Sequence, residues 1–190
     1  MRPGRLRVIG GAFRGRRLKV GRGDSVRPTG DRVREAIFDI LGDSVGGATV
    51  LDAYAGTGAL GIESLSRGAR HATFVEKDGS VIEVLRHNVA LDPGIAGRSR
   101  IFASDLAVAM RTMGGEGLLY DFVFLDPPYG AELARGLRLV HQGGILAPGA
   151  LIIAEHDTRE FPGKVHGLVP GDVRRYGRTS ISFFRAAAVV

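Results

Sequence analysis

From Ala48 to Glu155 the chain alternates short apolar runs with stretches of helical period, and this alternation limits the fold more than any other feature. The runs are Thr49 to Asp52, Ala72 to Glu76, Arg100 to Ala103, Phe122 to Asp126 and Leu151 to Glu155, with Ile181 to Phe184 further on. Between them Ile82, Leu85 and Val89 recur at i, i+3, i+7, and Leu106, Ala109, Met110 and Met113 at i, i+3, i+4, i+7. Strands that are apolar throughout, separated by amphipathic helices, predict a mostly parallel α/β sheet covered on both faces. Such sheets bind ligands beyond the carboxyl ends of their strands. The residues to watch are therefore Asp52, Glu76, Ala103 to Asp105, Asp126 and Glu155. After Glu155 the pattern breaks at Pro162, Gly163, Pro170 and Gly171; Val173 to Gly177 and Ser180 to Arg185 predict a terminal antiparallel hairpin. A chain of 190 residues fits one well-buried domain.

Charge is distributed unevenly. The net +6 divides into eleven Arg/Lys against Asp24 and Asp31 in residues 1–34, and fifteen basic against eighteen acidic residues thereafter. Only Lys19, Lys77 and Lys164 are lysines, which suggests codon bias, but such a bias acts along the whole chain and does not explain a +9 arm on a −3 body. The segment Arg7 to Val20 interleaves Val8, Ile9, Leu18 and Val20 with glycines and with Arg14, Arg16 and Arg17, the pattern of a small cationic β-hairpin. Arginines so placed neutralise phosphates without reading sequence. A turn at Arg27-Pro28-Thr29-Gly30 precedes a helix expected from Asp31 to about Leu41. Thr29 or Asp31 would cap it, Val33, Ile37, Ile40 and Leu41 would form its apolar stripe, and Arg32 and Arg34 would point away.

The segment Asp52-Ala53-Tyr54-Ala55-Gly56-Thr57-Gly58-Ala59-Leu60-Gly61 leads from a strand end into a helix. By itself Gly56-x-Gly58-x-x-Gly61, with Glu76 twenty residues past Gly56, fits a dinucleotide as well as S-adenosylmethionine. Asp52 favours the second, because a carboxylate there repels a pyrophosphate and attracts an ammonium or sulfonium. Glu76 would accept from ribose hydroxyls in either case. Asp105, ahead of Leu106, is equally suited to the adenine amino group and to capping a helix.

Asp126-Pro127-Pro128-Tyr129 closes the fourth run. The lone pair of an exocyclic base amine is delocalised into the ring. A carboxylate on Asp126 and the Pro127 carbonyl, both accepting from that amine, would direct the lone pair toward a methyl donor, while Tyr129 stacks on the extruded base. Transfer of this kind needs positioning rather than a metal. The five histidines have no metal-ligand spacing, no Ser-centred nucleophile elbow is expected, and the absence of Cys removes thiolate metal sites and cysteine nucleophiles.

Together these segments resemble the bacterial RsmD family. The resemblance rests on Gly10-Gly11 with the Arg-rich hairpin, Arg27-Pro28-Thr29-Gly30-Asp31-Arg32-Val33-Arg34-Glu35, the stretch Leu51 to Ala69, Asp126 to Tyr129, and Arg175-Tyr176-Gly177. Tyr54 and Thr57 stand where Phe and Ser are common in that family. The resemblance implies a Rossmann-like class I S-adenosylmethionine-dependent methyltransferase fold with a seven-stranded sheet. Residues 1–30 would be a basic, RNA-contacting arm and 31–190 the methyltransferase domain. It further implies transfer to guanine N2 of 16S rRNA, in the 30S subunit or an assembly intermediate. The cofactor would lie against Asp52, Tyr54, Gly56, Gly58, Glu76, Lys77, Asp105 and Leu106, and the base against Asp126, Pro127 and Tyr129. RNA would lie on Arg14, Arg16, Arg17, Arg27, Thr29 and Arg32. A cytoplasmic monomer with no metal and no membrane contact completes the expectation. The readings set aside are an adenine-N6 methyltransferase, an NAD-dependent oxidoreductase and a non-catalytic RNA-binding assembly factor.

Overall fold

A computed structural model describes residues 6–21, 28–128, 132–160 and 163–187. Its elements, in chain order, are α1 (Pro28–Leu41), a 3-10 turn (Gly42–Val45), β1 (Thr49–Asp52), α2 (Ala59–Ser66), β2 (His71–Glu76), α3 (Gly79–Val89), α4 (Pro93–Ala96) and β3 (Ser99–Ala103). There follow α5 (Leu106–Gly115), β4 (Tyr120–Leu125), α6 (Glu132–Gln142), β5 (Leu146–Asp157), β6 (Leu168–Tyr176) and β7 (Thr179–Ala186). The seven strands form one sheet in the order β3-β2-β1-β4-β5-β7-β6. The first five are parallel, and β7 runs antiparallel to β5 and β6. Strand order reverses between β1 and β4, which opens a crevice at their carboxyl ends.

The strands alternate between two cores. Val50, Phe74, Phe122, Phe124 and Ile153 face α1, α2 and α3, while Leu51, Val75, Val123, Leu125 and Ile152 face α5 and α6. Because both faces are covered, the strands read as unbroken apolar runs.

Four local expectations change. α1 begins at Pro28, three residues early, since proline needs no donor in a first helical turn. Its buried face is Val33, Ile37, Phe38 and Leu41, while Ile40 is 47% exposed. Arg34 does not point away: it shares the Phe38 and Leu41 row and is buried, its Nη2 donating to the Arg7 carbonyl at 2.5 Å and to Asp31 Oδ1 at 3.0 Å. β6 is longer than expected and runs through Pro170 and Gly171. It is the edge strand, where a missing donor costs no ladder bond, and its register shifts between Pro170 and Val173.

The N-terminal segment forms a small hairpin around an antiparallel bridge between Arg7 and Arg17. The Val8 amide donates to Arg16 (2.9 Å), Gly15 to Val8 (2.9 Å) and Leu18 to Leu6 (2.9 Å). Val8 and Leu18 are buried in the same cluster as Ile37 and Phe74. α2 holds the hairpin down. Fully buried Glu63 accepts from the Ile9 amide at 2.7 Å, the Gly10 amide at 2.8 Å and Arg67 Nε at 2.8 Å. At the last residue of α2, the Ser66 carbonyl accepts from Ala12 at 2.7 Å and its Oγ from Phe13 at 2.9 Å.

Candidate active site

The ends of β1, β2 and β4 bring three carboxylates toward one crevice. Register pairs Asp52 with Phe74 on one side and Phe124 on the other, so Glu76 and Asp126 each lie two residues beyond Asp52's neighbours. Asp52 is buried, and its Oδ2 accepts from the Gly61 amide at 3.0 Å. That bond ties the strand end to the first turn of α2. Burial pushes the Asp52 carboxyl up to about 7, with the charges of Asp126 and Glu76 adding to the effect and the Gly61 amide opposing it. Glu76 closes its own turn: Oε1 accepts from the Lys77 amide at 2.8 Å and the Asp78 amide at 2.9 Å, while Oε2 accepts from Gly56 at 3.0 Å.

Three glycines shape the turn for different reasons. Gly56 has φ +53° and nothing within 4 Å of where a side chain would begin, so the backbone there is open to a ligand. Gly61 serves packing, since a Cβ would stand 2.3 Å from Cε1 of Phe74 on β2. Gly58 caps α2 in the left-handed region, at φ +82°.

These features suit S-adenosylmethionine. Asp52 offers a buried carboxyl whose anionic form a neighbouring cation would favour, the Gly56 turn leaves room, and the Glu76 oxygens retain acceptor capacity for a diol. Tyr54 is half-buried on the face of α5 and α6, its hydroxyl 3.2 Å from where a Cβ on Gly136 would stand. Asp105 caps α5 by accepting from the Val108 amide at 2.9 Å, so its capping role is realised; Leu106 behind it is buried. Lys77 is exposed, as is Asp126, and Pro127 is half-buried. Tyr129 and Arg27, and the side chain of Thr29, lie outside the described residues.

The arginines separate into two kinds. Arg14, Arg17 and Arg32 are exposed. Arg16 is tied down, its Nη2 2.9 Å from Asp92 Oδ2 and its Nη1 donating to the Leu91 carbonyl at 2.5 Å. The sequence reading missed Asp92 as that anchor, and also the two buried polar residues that fasten the arm, Glu63 and Asn88. Their signal was a charge or amide on the apolar side of an amphipathic helix. Gly42-Asp43-Ser44-Val45-Gly46 does match the nucleophile-elbow string, contrary to expectation. It precedes β1 instead of following a strand, however, and Ser44 Oγ donates to the Leu41 carbonyl. Among the described residues no group of three or more His, Cys, Asp or Glu could hold a metal ion, and no helix is long and apolar enough to cross a membrane.

The family described as conserved hypothetical protein 95 matches residues 6–185. YlbH of Bacillus subtilis is 35% identical over 182 residues, covering 95% of this chain and 98% of its own. The Ribosomal RNA small subunit methyltransferase D of Escherichia coli strain K12 is 41% identical over 156 residues, covering 82% of this chain and 76% of its own. The chain belongs to the RsmD family. Among solved structures, yhhF of Escherichia coli superposes with a TM-score of 0.83 at 34% identity, covering 98% of this chain and 100% of that one. SMU.776, solved with S-adenosylhomocysteine, shares the fold at 17% identity and a TM-score of 0.65, covering 84% of this chain and 50% of its own. The RsmD match begins at residue 6, so it takes in the hairpin as well as the sheet.

The pH dependence of stability tests the Asp52 environment. A carboxyl raised from 3.8 to about 7 binds its proton more tightly folded than unfolded, so its contribution is present below pH 4 and lost as pH rises through 7. On the order of 4 kcal/mol is at stake by the linkage relation. Without ligand, unfolding free energy from urea titrations should fall from pH 5 to pH 8, and Asp52→Asn should flatten that slope. An unchanged slope in the variant would contradict the assignment.

Proposed function

We propose that this chain transfers a methyl group from S-adenosylmethionine to the exocyclic N2 amine of a guanine in 16S rRNA. The observation that carries the reading is the convergence of Asp52, Glu76 and Asp126 at the switch point of the sheet, around a glycine turn left open at Gly56. The name of the Escherichia coli relative supports rRNA as the substrate. The S-adenosylhomocysteine bound by SMU.776 supports the cofactor. We take the substrate to be the 30S subunit or an assembly intermediate in the cytoplasm, and the acting unit to be one chain.

When bound, S-adenosylmethionine supplies an electrophilic methyl group on a sulfonium. Asp52 and the open turn at Gly56 would hold its charged end, and Glu76 its ribose. Asp105, Leu106, Lys77 and Tyr54 would border the rest. On the other side of the crevice, Asp126 and the Pro127 carbonyl accept hydrogen bonds from the base amine and localise its lone pair, and Tyr129 stacks on the base. Two fixed acceptors and a stacked ring remove orientational freedom before reaction, the main contribution such a site makes. Residues 31–190 form the catalytic body. Residues 1–30 form the RNA-contacting extension, in which Arg14, Arg17, Arg27 and Thr29 meet RNA, as does Arg32 at the start of the body, while Arg16 holds the hairpin in place.

Two outcomes follow. Asp126→Ala should lower methyl transfer to 16S rRNA by at least about a hundredfold, given what positioned acceptors contribute, with S-adenosylmethionine affinity within about threefold of wild type by calorimetry. A comparable loss of cofactor affinity would refute the role given to Asp126. Replacing Arg14 and Arg17 with Gln should reduce the slope of log affinity against log salt for 16S rRNA by about one to two. An unchanged slope would move the RNA contact elsewhere.

A further inference from the structure

The reading above uses the glycine turn for the cofactor and the hairpin for RNA, and a single side chain bridges the two. Asn88, in the last turn of α3, is fully buried between Leu85 and Val89 on the helix's apolar side. Its Oδ1 accepts from the Lys19 amide at 2.7 Å, and its Nδ2 donates to the Lys19 carbonyl at 2.9 Å and to the Thr57 carbonyl at 2.9 Å. Lys19 is where the chain leaves the hairpin, and Thr57 stands between Gly56 and Gly58. Both amide hydrogens and the oxygen are thus committed to backbone outside α3. A leucine would serve the packing of α3 and leave three backbone groups without partners, so the amide's use lies in the two segments it holds.

In the turn it grips, Ala55 and Gly58 are buried and Gly56 is the open point. Gly56 has a positive φ and open space around it, and its amide is held by Glu76 alone among the bonds described. A ligand seated there restrains Thr57, and the Thr57 carbonyl fixes one hydrogen of Asn88. The same amide group then fixes Lys19 from both sides and holds the hairpin in register with the body.

We propose that Asn88 is a positioning residue coupling the two binding events, so that cofactor binding further restrains the docked cationic hairpin and raises affinity for RNA. The inference rests on the cofactor reading above and adds a regulatory link to it. Coupling is reciprocal, so RNA on the hairpin tightens cofactor binding by the same factor. No contact between cofactor and RNA is needed, because the link runs through an element both bias.

Hydrogen exchange on the full chain, with and without saturating S-adenosylhomocysteine, tests this. In the wild type the ligand should slow exchange at the turn amides of Gly56 and Gly61 and also at the Lys19 amide, the latter by at least about fivefold, the low end of typical coupling. In Asn88→Ala the turn should still respond while the hairpin does not. S-adenosylhomocysteine should likewise raise affinity for 16S rRNA about fivefold or more in the wild type, and leave it unchanged in the variant. A purely structural Asn88 would lower stability without altering that ratio. If Asn88→Ala does not fold, the wild-type exchange pattern decides. Wild-type protection confined to residues 56–61, or a hairpin response kept in Asn88→Ala, overturns the coupling and leaves the cofactor reading standing. No protection at the turn overturns that reading and the coupling with it.

Discussion

The bond from the Gly61 amide to the buried carboxyl of Asp52 fixes where everything else in the site can be. It joins the end of the central parallel strand to the start of α2, across the turn that holds Gly56. A carboxyl that is buried with a backbone amide as its partner sits in tension, since burial favours its neutral form and the amide its anion. A cationic ligand resolves that tension by supplying the missing opposite charge. Under the proposed function, the residue that locks the turn would also be the one that receives a sulfonium or an ammonium.

α2 extends the same logic to its other end. Its eight residues span about 12 Å, with the glycine turn at the start and the hairpin docked at the finish through Glu63 and Ser66. The hairpin is therefore no loose basic tail. Its apolar residues enter the main core, its backbone amides satisfy a buried carboxylate, and Arg16 is held by Asp92. Among the described residues of the arm, the side chains of Arg7, Arg14, Arg17 and Lys19 are exposed.

Much of this was legible before any coordinates. The runs at Thr49, Ala72, Arg100, Phe122 and Leu151 became strands because buried parallel strands are apolar on both sides, a pattern that survives without tertiary knowledge. The terminal hairpin was legible for the same reason, although Pro170 concealed the length of β6 until its place at the sheet edge was known. Asp52, Glu76 and Asp126 were legible as strand-end acids. Their mutual charge effect was not, because it depends on β1 lying between β2 and β4. Other errors concern buried polar groups. Arg34 looked solvated because charge usually is, whereas here it is buried and its Nη2 donates to the Arg7 carbonyl and to Asp31. Glu63 and Asn88 were passed over because their partners are backbone atoms far away in sequence, which no local pattern reveals.

The most direct test of the account is to incubate the full chain with methyl-labelled S-adenosylmethionine and unmethylated 30S particles, digest the 16S rRNA to nucleosides, and identify the labelled product by mass. The account predicts a single labelled species, N2-methylguanosine, mapping to one position. Label on adenine N6, on a ring carbon, or spread over many positions would contradict it.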